Sequence, residues 1–143
     1  MKKLVTLLVT GAVCALALAA LSAAATRSTV WTAALTSGQE VPKQVVKNSS
    51  AHGLFKGTLS GKKLTWTLTF SKLTGPATAA HIHMAPKGVA GNVIVPLCGP
   101  CKSPATGVSI LNGTVIAAFK KGNLYVNVHT KKNPNGEIRG QVG

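Results

Sequence analysis

The stretch Leu64-Thr65-Trp66-Thr67-Leu68-Thr69-Phe70 alternates large apolar residues with threonine along its whole length. Side chains on an extended strand point to opposite faces in turn, so this pattern gives one apolar face and one hydroxyl face. A helix would scatter the same residues around its circumference and leave no dry stripe. The segment is therefore read as a half-buried antiparallel strand, with Leu64, Trp66, Leu68 and Phe70 facing a core. Ser60-Gly61-Lys62-Lys63 before it carries turn residues and predicts a hairpin back to a strand over His52–Leu59.

Further strands are expected over Val30–Thr36, Ala77–Met84, Val93–Leu97, Val108–Phe119 (with Asn112-Gly113 as its breaking point), Leu124–Thr130 and Glu137–Val142. Glycine, proline and asparagine punctuate the junctions. Asn133-Pro134-Asn135-Gly136 predicts a hairpin between the last two strands, and Lys121-Gly122-Asn123 is a second strong turn signal. No helical periodicity is found after Thr26. About eight short strands at this spacing predict an all-β domain, an antiparallel Greek-key β-sandwich or barrel. Alternation assigns its core to Trp31, Leu54, Leu64, Trp66, Leu68, Phe70, Ile82, Val95, Leu124, Val126, Val128 and Ile138.

The start of the chain reads differently. Met1-Lys2-Lys3 is followed by an almost unbroken apolar run from Leu4 to Leu21 and then by Ala23-Ala24-Ala25. A basic start, an apolar stretch and small residues make a secretory signal peptide over residues 1–25, with the β domain over 26–143. Cys14 falls inside the apolar run and leaves with it. An uncleaved anchor is the rival reading, because the run approaches membrane-spanning length. No later stretch could span a membrane as a helix. The expected location is secreted or extracytoplasmic, in a periplasm or at a cell surface.

Sixteen Lys and Arg stand against two acidic residues, Glu40 and Glu137, for a formal charge of +14. Such a surface attracts anions in a salt-dependent way, so anionic cell-envelope or extracellular polymers are candidate partners. The basic residues are scattered and lack interleaved aromatics, which argues against specific nucleic-acid recognition. Cys98-Gly99-Pro100-Cys101 lies between strand and loop sequence. Export makes oxidation the default, so Cys98 and Cys101 are expected to form a local disulfide pinning a turn. Zinc held there would need two more ligands, and no second CxxC exists.

Candidate chemistry concentrates on histidines. In Ala79-Ala80-His81-Ile82-His83 both imidazoles share one strand face, and His129 lies on the polar face opposite Leu124, Val126 and Val128. His81, His83 and His129 could together hold copper or zinc, since imidazole suits both ions and three histidines leave one position open. The same rings could instead form a hydrogen-bonded cluster holding strands in register. Tyr125, Asn127, Glu137 and Arg139 complete a candidate polar cluster, with Glu137 and Arg139 read as an ion pair and Tyr125 as a cap on the histidines. His52 reads as a surface residue. With no aspartate in the chain a Ser-His-Asp triad is excluded, and no Gly-x-Ser-x-Gly elbow or phosphate-cradling glycine loop is present.

Leu35-Thr36-Ser37-Gly38-Gln39-Glu40-Val41-Pro42, Ala79-Ala80-His81-Ile82-His83, Gly122-Asn123-Leu124-Tyr125-Val126-Asn127-Val128-His129-Thr130 and Asn133-Pro134-Asn135-Gly136-Glu137-Ile138-Arg139-Gly140-Gln141 together resemble the CHRD domain, a module named from chordin and found in exported microbial proteins. The resemblance covers nearly all of the chain after the leader. It implies an all-β fold and an extracytoplasmic location, and it implies little about chemistry. The cysteine-rich repeats associated with growth-factor binding in animal chordin are absent, so that role is not transferred. A looser likeness, of fold and motif alone, is to copper–zinc superoxide dismutase, although this chain lacks a bridging histidine and an acidic zinc ligand. The expected function is a secreted or cell-surface, non-enzymatic CHRD-type binding module with a basic surface. The alternative is a copper- or zinc-binding metalloprotein using the three histidines in metal handling or a dismutase-like redox role.

Overall fold

The structure, a computed structural model, describes residues 27–43 and 50–143. The expected signal peptide lies outside the described residues. Eight strands form one antiparallel sheet: β1 Thr29–Thr36, β2 His52–Ser60, β3 Lys63–Ser71, β4 Ala77–Met84, β5 Asn92–Cys98, β6 Ala105–Ile110, β7 Leu124–Thr130 and β8 Ile138–Gln141. Their order is β5-β4-β7-β8-β1-β2-β3-β6, and the terminal strands β5 and β6 approach each other, so the sheet curls into a nearly closed barrel. The hairpins β2–β3, β4–β5 and β7–β8 join neighbours, while the β3–β4 and β6–β7 connections cross over, as the Greek-key expectation requires.

Alternation builds the interior. Trp31, Ala33 and Leu35 of β1, Phe55 and Leu59 of β2, and Leu64, Trp66 and Leu68 of β3 are buried, with the alternate residues facing out. Trp31, Gly57, Trp66 and Gly107 stand in one row across β1, β2, β3 and β6. Gly107 leaves room for an indole, because a Cβ there would overlap the Trp66 ring, while a Cβ at Gly57 would run into Leu64 and Phe55. The Trp66 indole also donates to Ser109 Oγ at 3.2 Å.

Three expectations need correction. Leu54 is 38 % exposed, because the inward series on β2 is Gly53, Phe55, Gly57 and Leu59. A strand's parity cannot serve both Leu54 and Phe55, and the larger ring takes the interior. Phe70 is only partly buried at the end of β3. The proposed strand Val108–Phe119 is β6 followed by an α-helix, α1, over Gly113–Lys120. Its Val and Ile content reads as strand, but the Asn112 side chain accepts from the Val115 N–H at 3.0 Å and so caps a helix. Gly122, at φ +69, ends it in the left-handed conformation that favours glycine, and its N–H meets the Phe119 carbonyl. The helix contributes Val115 and Ala118 to the core and stacks Phe119 on Trp31 with centroids 4.2 Å apart.

Cys98 and Cys101 form the expected disulfide, closing the turn after β5. The Cys101 N–H donates to the Ala77 carbonyl, which ties that turn back to β4. Among the described residues no helix is long and apolar enough to cross a membrane.

Candidate functional site

Strand β7 is buried on both faces. Leu124, Val126 and Val128 face the barrel interior, and Tyr125, Asn127 and His129 face outward. The outward row is covered by three connections, which meet it through Gly91 after β4, Pro134 after β7 and Glu40 after β1. β4 pairs with β7 in a register that sets His81 opposite Asn127 and His83 opposite Tyr125. The predicted meeting of the three histidines follows from that pairing.

One ring nitrogen each from His81, His83 and His129 lie within 4.8 Å of one another. A triangle with no side above 4.8 Å holds a point about 2.8 Å or less from every corner, since 4.8 divided by √3 is about 2.8. Zinc–imidazole bonds are about 2.0–2.1 Å, so closure on an ion needs movements below about 1 Å. His83 and His129 are buried and His81 is half-buried at the mouth.

The tautomers are set by the backbone. His83 Nδ1 donates to the Gly91 carbonyl at 3.0 Å, and His129 Nδ1 donates to the Pro134 carbonyl at 3.0 Å. A neutral imidazole carries one N–H, so both rings present an Nε2 lone pair. His129 Nε2 lies 3.1 Å from His81 Nδ1, which supplies its donor. His83 Nε2 is buried and has no partner. Burial pushes the pKa of all three rings below the usual histidine value, and mutual repulsion adds to this at His81. The cluster is therefore neutral and deprotonated at pH 7.

Gly91 is the hub of the covering loop. Its carbonyl accepts from His83 and from the Tyr125 hydroxyl at 3.2 Å, and its N–H donates to the same hydroxyl at 3.0 Å. A side chain there would run into the Met84 carbonyl. Tyr125 stacks on His83 with centroids 4.7 Å apart, and the Arg139 guanidinium lies over its ring at 3.5 Å. Asn127 donates to Glu40 Oε2 at 3.3 Å.

Glu137 does not pair with Arg139. It takes hydrogen bonds from the Thr74 N–H, the Thr74 and Thr130 hydroxyls and the Asn133 amide, at 2.6, 2.6, 2.6 and 3.0 Å. Burial alone would raise its pKa, but these four donors outweigh that and hold the carboxyl below the usual range. Arg139 instead donates to the Val89 carbonyl at 2.8 Å. Glu137 is thus a loop organiser, tying the β3–β4 connection to the β7–β8 hairpin.

The sequence gives Glu40 no role beyond being one of two acidic residues. It is 3 % exposed, and burial raises its pKa to about 7 despite the Asn127 hydrogen bond. No sequence signal marks the backbone carbonyls of Gly91 and Pro134, which orient two of the three histidines. The family model for the CHRD domain matches residues 31–142. No curated protein and no solved structure matches the chain.

Proposed function

Since the chain belongs to the CHRD domain family, we propose that it is a non-enzymatic, extracytoplasmic binding module whose working site takes up one transition-metal ion, copper or zinc, on His81, His83 and His129. The observation that carries this reading is the buried, unpartnered Nε2 of His83. A purely structural cluster would supply that lone pair with a donor, because leaving it bare costs about 1–3 kcal/mol. A metal ion removes the cost. Histidines that donate Nδ1–H to carbonyls and offer Nε2 are the usual dress of metal ligands. His81 joins them by passing its proton from Nδ1 to the outer nitrogen, a tautomer change that alters no charge. Three neutral imidazoles leave the fourth position to water or an outside ligand. The Cys98–Cys101 disulfide suits an oxidising compartment.

A second reading concerns the rest of the surface. Both acidic side chains of the chain, Glu40 and Glu137, are buried, at 3 % and 0 % exposure. Charged side chains at the described surface are therefore cationic, which favours anionic envelope or extracellular polymers. That retention would weaken steeply with salt.

The test is metal analysis and titration with zinc and copper, comparing the natural protein with a His81→Ala, His83→Ala variant. One ion per chain is expected for the natural protein and none for the variant. Equal uptake by both, or uptake by neither, would remove the metal reading.

A further inference from the structure

His52 and Ser71 stand opposite each other on β2 and β3, both exposed on the outer face of the barrel. The His52 ring lies between two partners. Its Nδ1 is 2.8 Å from the Ser50 carbonyl oxygen, and its Nε2 is 3.0 Å from Ser71 Oγ. A carbonyl can only accept, so in the neutral imidazole Nδ1 carries the proton and Nε2 presents a lone pair. The Ser71 hydroxyl therefore donates to His52. A hydroxyl on a base that a third group orients is the arrangement that activates serine for acyl chemistry. The Ser50 carbonyl takes the orienting place that a carboxylate fills in a triad, so a chain without aspartate can still build it.

The geometry is held from both strands. Ala51 is 1 % exposed, and a Cβ at Gly53 would run into the Thr69 carbonyl, so the backbone on either side of His52 has little freedom. Lys72 follows Ser71 at φ +57 and is the one left-handed residue other than glycine among the described residues. β3 thus ends at the serine in a conformation that a side chain adopts only at a cost. Register does not need the pair, because the pairing from Gly53–Phe70 to Ser60–Lys63 already fixes it. A hydrogen bond this open to water also contributes little to stability. Beside the pair lies a hollow of about 170 Å³ lined by His52, Gly53, Leu54, Thr69, Phe70 and Ser71. That is below the roughly 300 Å³ at which sites for drug-sized ligands begin, so it takes a small group. Leu54 and Phe70 supply apolar lining, which suits a short alkyl chain.

We propose that Ser71 is a nucleophile activated by His52, and that it takes the acyl group of a short-chain carboxylic ester. Ser71 Oγ attacks the ester carbonyl carbon while its proton passes to His52 Nε2. The carbonyl electron pair moves onto oxygen and returns to expel the alkoxide. The alkoxide takes the proton from His52 and leaves as an alcohol. One ester C–O bond breaks, one forms on Ser71, and no oxidant or reductant is involved. The product is an O-acyl ester on Ser71. The site is separate from the proposed metal centre, because none of its three histidines lines the hollow.

The test is incubation of metal-free protein with p-nitrophenyl acetate at neutral pH, followed by peptide mass mapping. One acetyl group should appear on Ser71. Lysines take acetyl from this reagent as amides, and neutral hydroxylamine strips the serine ester while sparing the amides, so the two are separable. His52→Gln should slow acetylation of Ser71 about 100-fold, the lower end of what a positioned general base supplies. Ser71→Ala should leave no hydroxylamine-labile acetyl group, and His81→Ala should change nothing. Both His52 and Ser71 are exposed, so these variants keep the fold, which circular dichroism checks. p-Nitrophenyl octanoate should react more slowly than the acetate. Acetyl groups on lysines with none on Ser71, or acetylation of Ser71 at the same rate in His52→Gln, would overturn the proposal. Octanoyl transfer as fast as acetyl transfer would overturn the assignment of the hollow to a short acyl chain.

Discussion

Glu40→Gln tests the electrostatics of the buried outer face. The Glu40 pKa moves from 4.5 to about 7 on folding, chiefly through burial, with the Asn127 hydrogen bond and the Arg139 charge pulling it back and Glu137 pushing it up. Moving a carboxyl from 4.5 to about 7 corresponds to about 3 kcal/mol. The sign follows from proton binding. A group whose pKa is raised in the folded state holds its proton better there, so its contribution is complete below pH 4.5 and is lost as pH rises through about 7. Glutamine imitates the protonated carboxyl in shape and keeps an oxygen for Asn127. The variant should match the natural protein near pH 4 and exceed its stability by about 3 kcal/mol near pH 8.5. Urea unfolding at both pH values, read by far-ultraviolet circular dichroism, measures this from the shift in midpoint at constant slope. A stability difference that does not change with pH, or a variant weaker than the natural protein near pH 8.5, would refute the argument that Glu40 is ionised at a cost.

Glu137 should behave in the opposite sense. Its folded pKa is lowered, so its stabilisation is present above pH 4.5 and fades as pH falls through the folded value. Glu137→Ala strips four hydrogen bonds from a buried carboxylate and should cost about 3–5 kcal/mol at neutral pH, measured by thermal or urea unfolding. For the histidines, the lowered pKa values mean that the unfolded chain binds protons first on acidification. Metal affinity should therefore persist through pH 6.5 and fall only at lower pH, seen by zinc titration across pH. Reducing Cys98–Cys101, separated by only 3 positions, should cost about 2 kcal/mol and leave the barrel's circular dichroism unchanged.

The fold was legible where one face of a strand is dry and the other wet. Leu64–Phe70 announces its register outright, and the turn residues at Ser60–Lys63 and Asn133–Gly136 mark hairpins that the structure contains. Legibility failed where local pattern is ambiguous. Leu54 and Phe55 are adjacent and apolar, and only the cross-strand partners decide which turns inward. Thr114–Phe119 has strand-like residues, and a single asparagine oxygen converts it to a helix. The histidine site was half legible. Spacing places His81 and His83 on one face, but the β4–β7 pairing that brings His129 to them is a long-range choice. The carbonyls of Gly91 and Pro134 carry no side-chain signature at all. Glu137 misled because sequence proximity to Arg139 suggested a pair, while distant Thr74 holds it instead.

X-ray absorption on the zinc-loaded protein addresses the metal site directly. Three imidazole nitrogens at about 2.0–2.1 Å, with the multiple-scattering pattern of histidine rings, are expected for the natural protein. A zinc shell of oxygens alone, or one unaltered by His83→Ala, would contradict the account.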